Sequence, residues 1–295
     1  MPKAKASQWS IDAIGGGVHR LDLKPVGRAA GWASLSSDWH YDSTHCRRDL
    51  LKENLDLALA TNTPVCVFGD LFDSMQGKND KRGSKSDIRP EYLVGSNYFD
   101  AIVEDAASFL HPYRSVLALI TPGNHETAVR KAQETCLTTR LVERLRAAGS
   151  PVRAGGYSGW LWVTMQSDVT RKTSASLRIF YHHGSGGGSA QSRGTLEFAR
   201  ISDYVDADAI VCGHIHQRGI YEARRHRLST HGNVTTKSIW HVRLGAFKDE
   251  YHNGEGGWAV ERGMGPRPYG GWWLRLKPNH DRSDLHVSWH DSHHE

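Results

Sequence analysis

Short apolar runs that stop abruptly in polar residues dominate the first two thirds of the chain. Five are nearly continuous and rich in β-branched residues. Residues 32–35 precede Ser36-Ser37-Asp38-Trp39-His40, 64–68 precede Gly69-Asp70, and 116–120 precede Thr121-Pro122-Gly123-Asn124-His125-Glu126. Residues 177–181 precede His182-His183-Gly184, and 209–211 precede Cys212-Gly213-His214-Ile215-His216. Short runs without polar alternation are expected of strands buried on both faces. Between them, residues 47–60, 96–110, 132–148 and 195–204 have helical periodicity; in the last, Leu196, Ala199, Ile201 and Tyr204 recur at helix-like spacing. Strand, helix, strand alternation predicts an α/β fold. In open α/β sheets, sites form where strand C-terminal ends meet loops, and here five successive strand ends deliver Asp, His or Asn.

After Gln217 the pattern is β-rich. Residues 218–227 and 238–245 predict a hairpin turned around His231-Gly232-Asn233, and 271–276 and 285–289 predict two further strands. The expectation is one domain over 1–295, with two facing mixed β-sheets flanked by helices. Its core, about 31–217, holds the polar strand ends. The β-rich part, 218–290, is expected to form a second sheet packed onto the first through Trp240, Trp272, Trp273 and Trp289.

At 295 residues, with 38% hydrophobic and 23% charged residues, the chain can bury a substantial core. No stretch approaches the length of an apolar membrane span. The N-terminal lysines are not followed by the apolar segment of a secretory signal. The four cysteines form no C-x-x-C pair, and Cys66 and Cys212 lie in apolar runs. Together these features predict a reduced, cytoplasmic setting with no membrane. The net charge of +5 is compatible with a phosphate-rich or nucleic-acid substrate. Of the 18 histidines, only the terminal His-Asp-Ser-His-His-Glu stretch is clustered, so their positions carry more information than their number.

In order, the polar strand ends read D-x-H (Asp38, His40), GD (Gly69, Asp70), GNHE (Gly123 to Glu126), HHG (His182 to Gly184) and GHxH (Gly213 to His216). Each piece alone is common. The ordered set, each member after a predicted strand, resembles the signature of calcineurin-like metallophosphoesterases. That resemblance implies a phosphoesterase with two divalent metal ions. Hydrolysing a phosphate ester calls for charge neutralisation on the phosphoryl oxygens and a nucleophile potent at neutral pH, and two cations about 3.5–4 Å apart supply both. Mixed His, Asp and Asn ligation suits Mn, Fe, Zn or Ni better than Mg or Ca, with Mn expected first.

Residue by residue, the resemblance implies Asp38, His40, Asp70 and His216 around one metal. Asp70 would bridge to a second, held also by Asn124, His183 and His214. His125 would protonate the leaving group as general acid. Either His182 or His183 could be the ligand; the resemblance favours His183, which immediately precedes the glycine. D-x-H and H-x-H place side chains two apart, on one face of an extended segment, so both members of each pair could reach a common site.

The stretch Gly69-Asp70-Leu71-Phe72-Asp73 resembles DNA repair nucleases of the SbcD type, whereas GNHE is closer to protein and purple acid phosphatases. The glycine run and the Trp-rich end resemble phage-encoded metallophosphoesterases. The leading expectation is a phosphodiesterase acting on DNA or a nucleotide. The alternatives are a phosphomonoesterase or nucleotide pyrophosphatase with a small substrate, and a non-catalytic, metal-stabilised binding module.

Several features bear on the substrate. The loop 76–89 carries Lys78, Lys81, Arg82, Lys85 and Arg89 against Asp80 and Asp87, and is either a contact for phosphates beside the scissile one or a solvated loop. Gly186 and Gly187, in the glycine run after the histidines, either let backbone N–H groups approach an anion or form a simple connection. Arg225 and Arg227 share a hairpin face that reads as a solvated edge rather than a nucleic-acid contact. Tyr251 is a candidate site-edge residue or an ordinary loop tyrosine. The C-terminal aromatic residues are expected to pack the core rather than stack bases.

Overall fold

The computed structural model describes residues 8–26, 29–74, 87–95, 97–166, 173–187, 189, 191–251, 254–255, 258–278 and 285–292. Its strands are β1 (Gln8–Gly15), β2 (Val18–Lys24), β3 (Gly31–Ser36), β4 (Val65–Phe68), β5 (Leu117–Thr121), β6 (Arg153–Ala154) and β7 (Ser158–Gln166). The rest are β8 (Thr173–His182), β9 (Ala209–Cys212), β10 (Gly219–Leu228), β11 (Val234–Arg243), β12 (Trp272–Pro278) and β13 (Leu285–His290). The helices are α1 (Arg48–Thr61), α2 (Tyr98–Leu110), α3 (Asn124–Gln133), α4 (Leu137–Ala147), α5 (Thr195–Ser202) and α6 (Trp258–Glu261).

These strands form two mixed sheets. One runs β13-β12-β3-β4-β5-β6, the other β1-β2-β7-β8-β9-β11-β10. Between them lies an apolar layer that includes Leu21, Leu35, Phe68, Leu119, Ile179 and Val211. On the outer face of the first sheet, Leu51 and Leu55 of α1, Ile102 of α2 and Leu141 of α4 pack with Val65, Val67 and Ile120. On the outer face of the second, Phe198 and Ile201 of α5 cover Phe180 and Ile210. The five apolar runs are therefore buried on both faces, which is why they lack alternation. No described helix is long and apolar enough to cross a membrane.

Three differences from the sequence expectation have physical causes. The C-terminal strands do not make a sheet of their own. β11 pairs in parallel with β9, and β12 pairs antiparallel with β3, so each C-terminal hairpin extends an existing sheet. Trp240, Trp272 and Trp289 accordingly lie against the layer between the sheets. Trp273 points the other way, into the helical layer, as the two-residue strand period requires. The strands β1, β2 and β7 were not anticipated; β1 is an edge strand on which Ile11 alone is buried, so its apolar pattern is faint. Finally, the helix expected over 132–148 starts later, as α4, while α3 before it was not anticipated and ends where Glu134 takes a left-handed conformation (φ 53°).

β3, β4 and β5 are parallel neighbours, as are β8 and β9 in the facing sheet. Their C-terminal ends open onto a common edge, and the backbone stitches that edge together. Asp38 N–H donates to Gly69 O at 3.0 Å, His40 N–H to Asp70 O at 3.0 Å, and Gly213 N–H to His183 O at 2.8 Å.

Candidate metal centre

The D-x-H, GD and GHxH residues leave their strands in an unusual conformation. Asp38 (φ 53°), His40 (46°), Asp70 (48°), His214 (71°) and His216 (53°) all lie in the left-handed region. Such residues cost about 1–3 kcal/mol each and persist where the surroundings over-determine them, typically at functional sites. The members of each pair therefore do not share a face by strand alternation. Asp38 and His40 do meet, whereas His214 and His216 diverge.

Three groups of potential ligand atoms result: Asp38, His40 and His216 in the first, Asp70, His183 and His214 in the second, and His40, Asp73 and His125 in a third that shares His40 with the first. In the first, His40 Nε2 is 3.1 Å from His216 Nε2, and His216 Nε2 is 3.4 Å from Asp38 Oδ1. In the second, His183 Nε2 is 3.1 Å from Asp70 Oδ2. Asn124 Oδ1 joins this second group, 3.0 Å from His183 Nε2 and 2.7 Å from His214 Nδ1. The groups abut, with His183 Nε2 only 4.0 Å from Asp38 Oδ1. His125 Nε2 lies 3.8 Å from Asp70 Oδ2. His182 turns aside, where its Nδ1 accepts the Gly184 N–H at 3.0 Å and faces Glu197.

Each imidazole is oriented by its other nitrogen. His183 Nδ1 donates to Phe68 O at 2.9 Å, and His214 Nε2 donates to Gly186 O at 2.9 Å. His40 Nδ1 lies 2.8 Å from Asp73 Oδ1, and His216 Nδ1 lies 3.0 Å from Glu250 Oε1. Carboxylates and carbonyls behind imidazoles are the usual supports of metal-binding histidines. The loops themselves are clamped by two further acids. Glu126 accepts the N–H groups of Asp70, Phe72 and Gly123, and Asp42 accepts those of Asp73 and Ser74. The close approach at Gly123 leaves no room for a side chain, since a Cβ there would overlap the Asp70 carboxylate.

The electrostatics fit a cation site. Burial raises the Asp38 carboxyl, but His216 and His183 outweigh it and bring it down to about 2. Asp70, equally buried, is held well below the usual range by His183 and His125. Burial lowers His183 and His216, yet the carboxylates beside them raise both to about 10. Buried charge at this density is sustained only when paired or metal-coordinating, and the donor set of Asp, His and Asn suits transition-metal cations.

Asp73, Lys248, Glu250 and Glu126 had no role in the sequence reading. Asp73, three residues after Asp70, was visible in the GDLFD stretch; nothing in the local sequence links Lys248 or Glu250 to the strand ends. Asp73 also faces His125 Nδ1 at 3.6 Å and binds Lys248 Nζ through both oxygens at 3.1 Å. Asp73→Asn is expected to weaken metal uptake by about 10–100-fold while the fold persists, because it removes the support behind His40. Equilibrium titration of the metal-free variant, with its melting curve, measures both.

The substrate candidates fare differently. Lys78 and Arg82 lie outside the described residues. Arg89 is engaged with the Ser43 carbonyl through Nε at 3.0 Å and faces Glu91. Gly186 supports His214, and Gly187 is exposed. Tyr251 borders a small pocket with His216, Lys248, Glu250, Arg267 and Tyr269. Arg225 donates to the Ser202 carbonyl at the end of α5, whereas Arg227 is exposed and faces an equally exposed Asp206 at 4.0 Å, as expected of a solvated edge.

Residues 35–218, more than half of the chain, match the family model of the calcineurin-like phosphoesterases. The chain belongs to that family. No curated protein matches it. Among solved structures it is similar to a conserved uncharacterized protein of Streptococcus pneumoniae TIGR4, described as a predicted phosphoesterase. That likeness is 11% identity over 88% of this chain and 89% of the other, with a TM-score of 0.32, too low to carry an argument.

Proposed function

We propose that the chain is a two-metal phosphodiesterase acting on DNA or a nucleotide, with Asp38, His40, Asp70 and His216 around one cation and Asp70, Asn124, His183 and His214 around the other. The observation that carries the reading is the pair of abutting groups, the buried Asp38/His40/His216 and the Asp70/His183/His214 set in which only His214 is partly exposed, with His125 at their edge. Bound cations, Mn favoured, would neutralise the phosphoryl oxygens and lower the pKa of a water nucleophile. The chain's own residues supply the rest. Asp38 and Asp70 hold negative charge at the centre, and Phe68 O, Gly186 O, Asp73 and Glu250 fix the imidazole orientations. His125, with Nδ1 against the Asp73 carbonyl and Nε2 toward Asp70, is placed to hold a proton for the departing oxygen. The cation-rich 76–89 segment follows the Asp70 motif and favours a polyanionic substrate.

The test is hydrolysis of single- and double-stranded DNA beside bis(p-nitrophenyl) phosphate and p-nitrophenyl phosphate, with Mn and with chelator. Mn-dependent DNA cleavage, with the diester preferred to the monoester, is expected. Faster monoester turnover without DNA cleavage would replace the diesterase with a small-substrate phosphatase. Metal-stabilised protein inert to every ester would leave a binding module.

A further inference from the structure

The turn carrying His214 and His216 is strained. The Gly213 carbonyl accepts the N–H of Ile215 at 2.9 Å, across a His214 whose φ is 71°. A three-residue turn closed this way with positive φ at its centre is the rarer, strained hand of γ-turn. His216 then follows at φ 53°. This twist is what separates the imidazoles, sending His214 to Asp70 and His183, and His216 to Asp38 and His40. In an extended chain, side chains two residues apart would point the same way. Contacts from outside the turn must hold it.

Two arginines from the C-terminal part grip its carbonyls. Arg243, at the end of β11 and only 1% exposed, donates Nη1 to Gly213 O at 2.9 Å and to Glu197 Oε2 at 2.8 Å. Its Nη2 donates to Gly194 O at 2.7 Å, and its guanidinium lies over the Phe198 ring at 4.5 Å. Gly194 precedes α5, so the same guanidinium also anchors the return of the glycine-rich loop whose Gly186 carbonyl orients His214. On the other side, Arg267 donates to the Ile215 carbonyl and faces Glu250 at 3.7 Å, and Glu250 faces His216 Nδ1. One arginine thus supports the His214 half of the turn and the other the His216 half. The planar fork of a guanidinium can serve several fixed acceptors at once, which a lysine ammonium on a flexible stem does poorly.

We propose that Arg243 and Arg267 are positioning residues that hold the Gly213–His216 turn in the conformation that assigns His214 and His216 to different metal subsites. The proposal rests on the two-metal reading. Each arginine acts through backbone carbonyls and the groups behind the imidazoles, so each should govern one subsite.

Calorimetric titration of metal-free protein with Mn tests this. The unsubstituted chain should take up two ions in separable steps, and His214→Ala and His216→Ala identify which step belongs to which histidine. Arg243→Met is expected to weaken the His214-dependent step by about 10–100-fold and leave the other unchanged; Arg267→Met should do the reverse. Should Arg243→Met fail to fold, Arg243→Lys keeps a cation beside Glu197 without the fork and should show the same selective loss. Melting curves without metal report the fold independently. Equal weakening of both steps, or two unchanged steps in variants that merely melt lower, would overturn the positioning role. No Mn uptake by the unsubstituted chain would instead overturn the two-metal reading.

Discussion

Asp70→Ala is expected to lower phosphoesterase turnover by at least about a thousandfold, the equivalent of about 4 kcal/mol of transition-state stabilisation. Asp70 is tied to several parts of the site at once. Its carboxylate lies 3.1 Å from His183 and 3.8 Å from His125, and accepts the His125 N–H at 2.9 Å. Its own N–H is clamped by Glu126, and its carbonyl receives the His40 N–H. Removing the carboxylate deletes the negative charge that His183 faces and the acceptor that fixes the first turn of α3. Metal analysis should show loss of paired occupancy alongside lost turnover. The fold should survive, because the apolar layers that hold the six-stranded sheet do not include this side chain and the loss at α3 is confined to its first turn. Full activity with two ions retained would remove Asp70 from the centre of the mechanism.

The candidate site was largely legible in the sequence because its residues sit at the ends of strands buried on both faces. Such strands announce themselves as continuous apolar runs, and Asp70, Asn124, His183 and His214 each follow one within a few positions. What the sequence concealed was geometry set by backbone twist and by distant chain. The two-residue spacing in Asp38-Trp39-His40 and His214-Ile215-His216 suggests extended backbone, but positive φ at all four polar positions carries the pairs to their places by a different route. Glu250 and Lys248 lie far along the chain from the groups they support, on a loop with no motif to mark it. Glu126 was legible as part of GNHE, yet its task of receiving three backbone N–H groups from two loops is a purely tertiary fact. The edge strand β1 was missed for a related reason. One buried residue, Ile11, is too little pattern to distinguish a strand from a polar linker.

His125→Gln is expected to separate proton transfer from metal binding. His125 follows Asn124 at the start of α3, and its ring stands edge-on to His40 with centroids 4.9 Å apart. Nδ1 meets the Asp73 carbonyl, which can only accept, so the proton on that nitrogen is committed and Nε2 is the nitrogen that faces the site. In the proposed reaction, Nε2 gives a proton to the departing oxygen. A glutamine can occupy similar space but cannot deliver that proton. Turnover on a substrate with a poor leaving group, such as a DNA phosphodiester, should fall by about 10²–10⁴-fold. A nitrophenolate leaves without protonation, so on nitrophenyl esters the loss should be much smaller. Both metal-uptake steps should remain, because His125 is outside the two groups assigned as ligands. Rates measured across a series of aryl diesters of increasing leaving-group pKa give the decisive plot, since the variant should show a steeper dependence than the parent. Parallel lines would mean that His125 contributes equally to every substrate. Its role would then be electrostatic, through Asp70 and the phosphoryl group, and the leaving oxygen would have to take its proton from elsewhere.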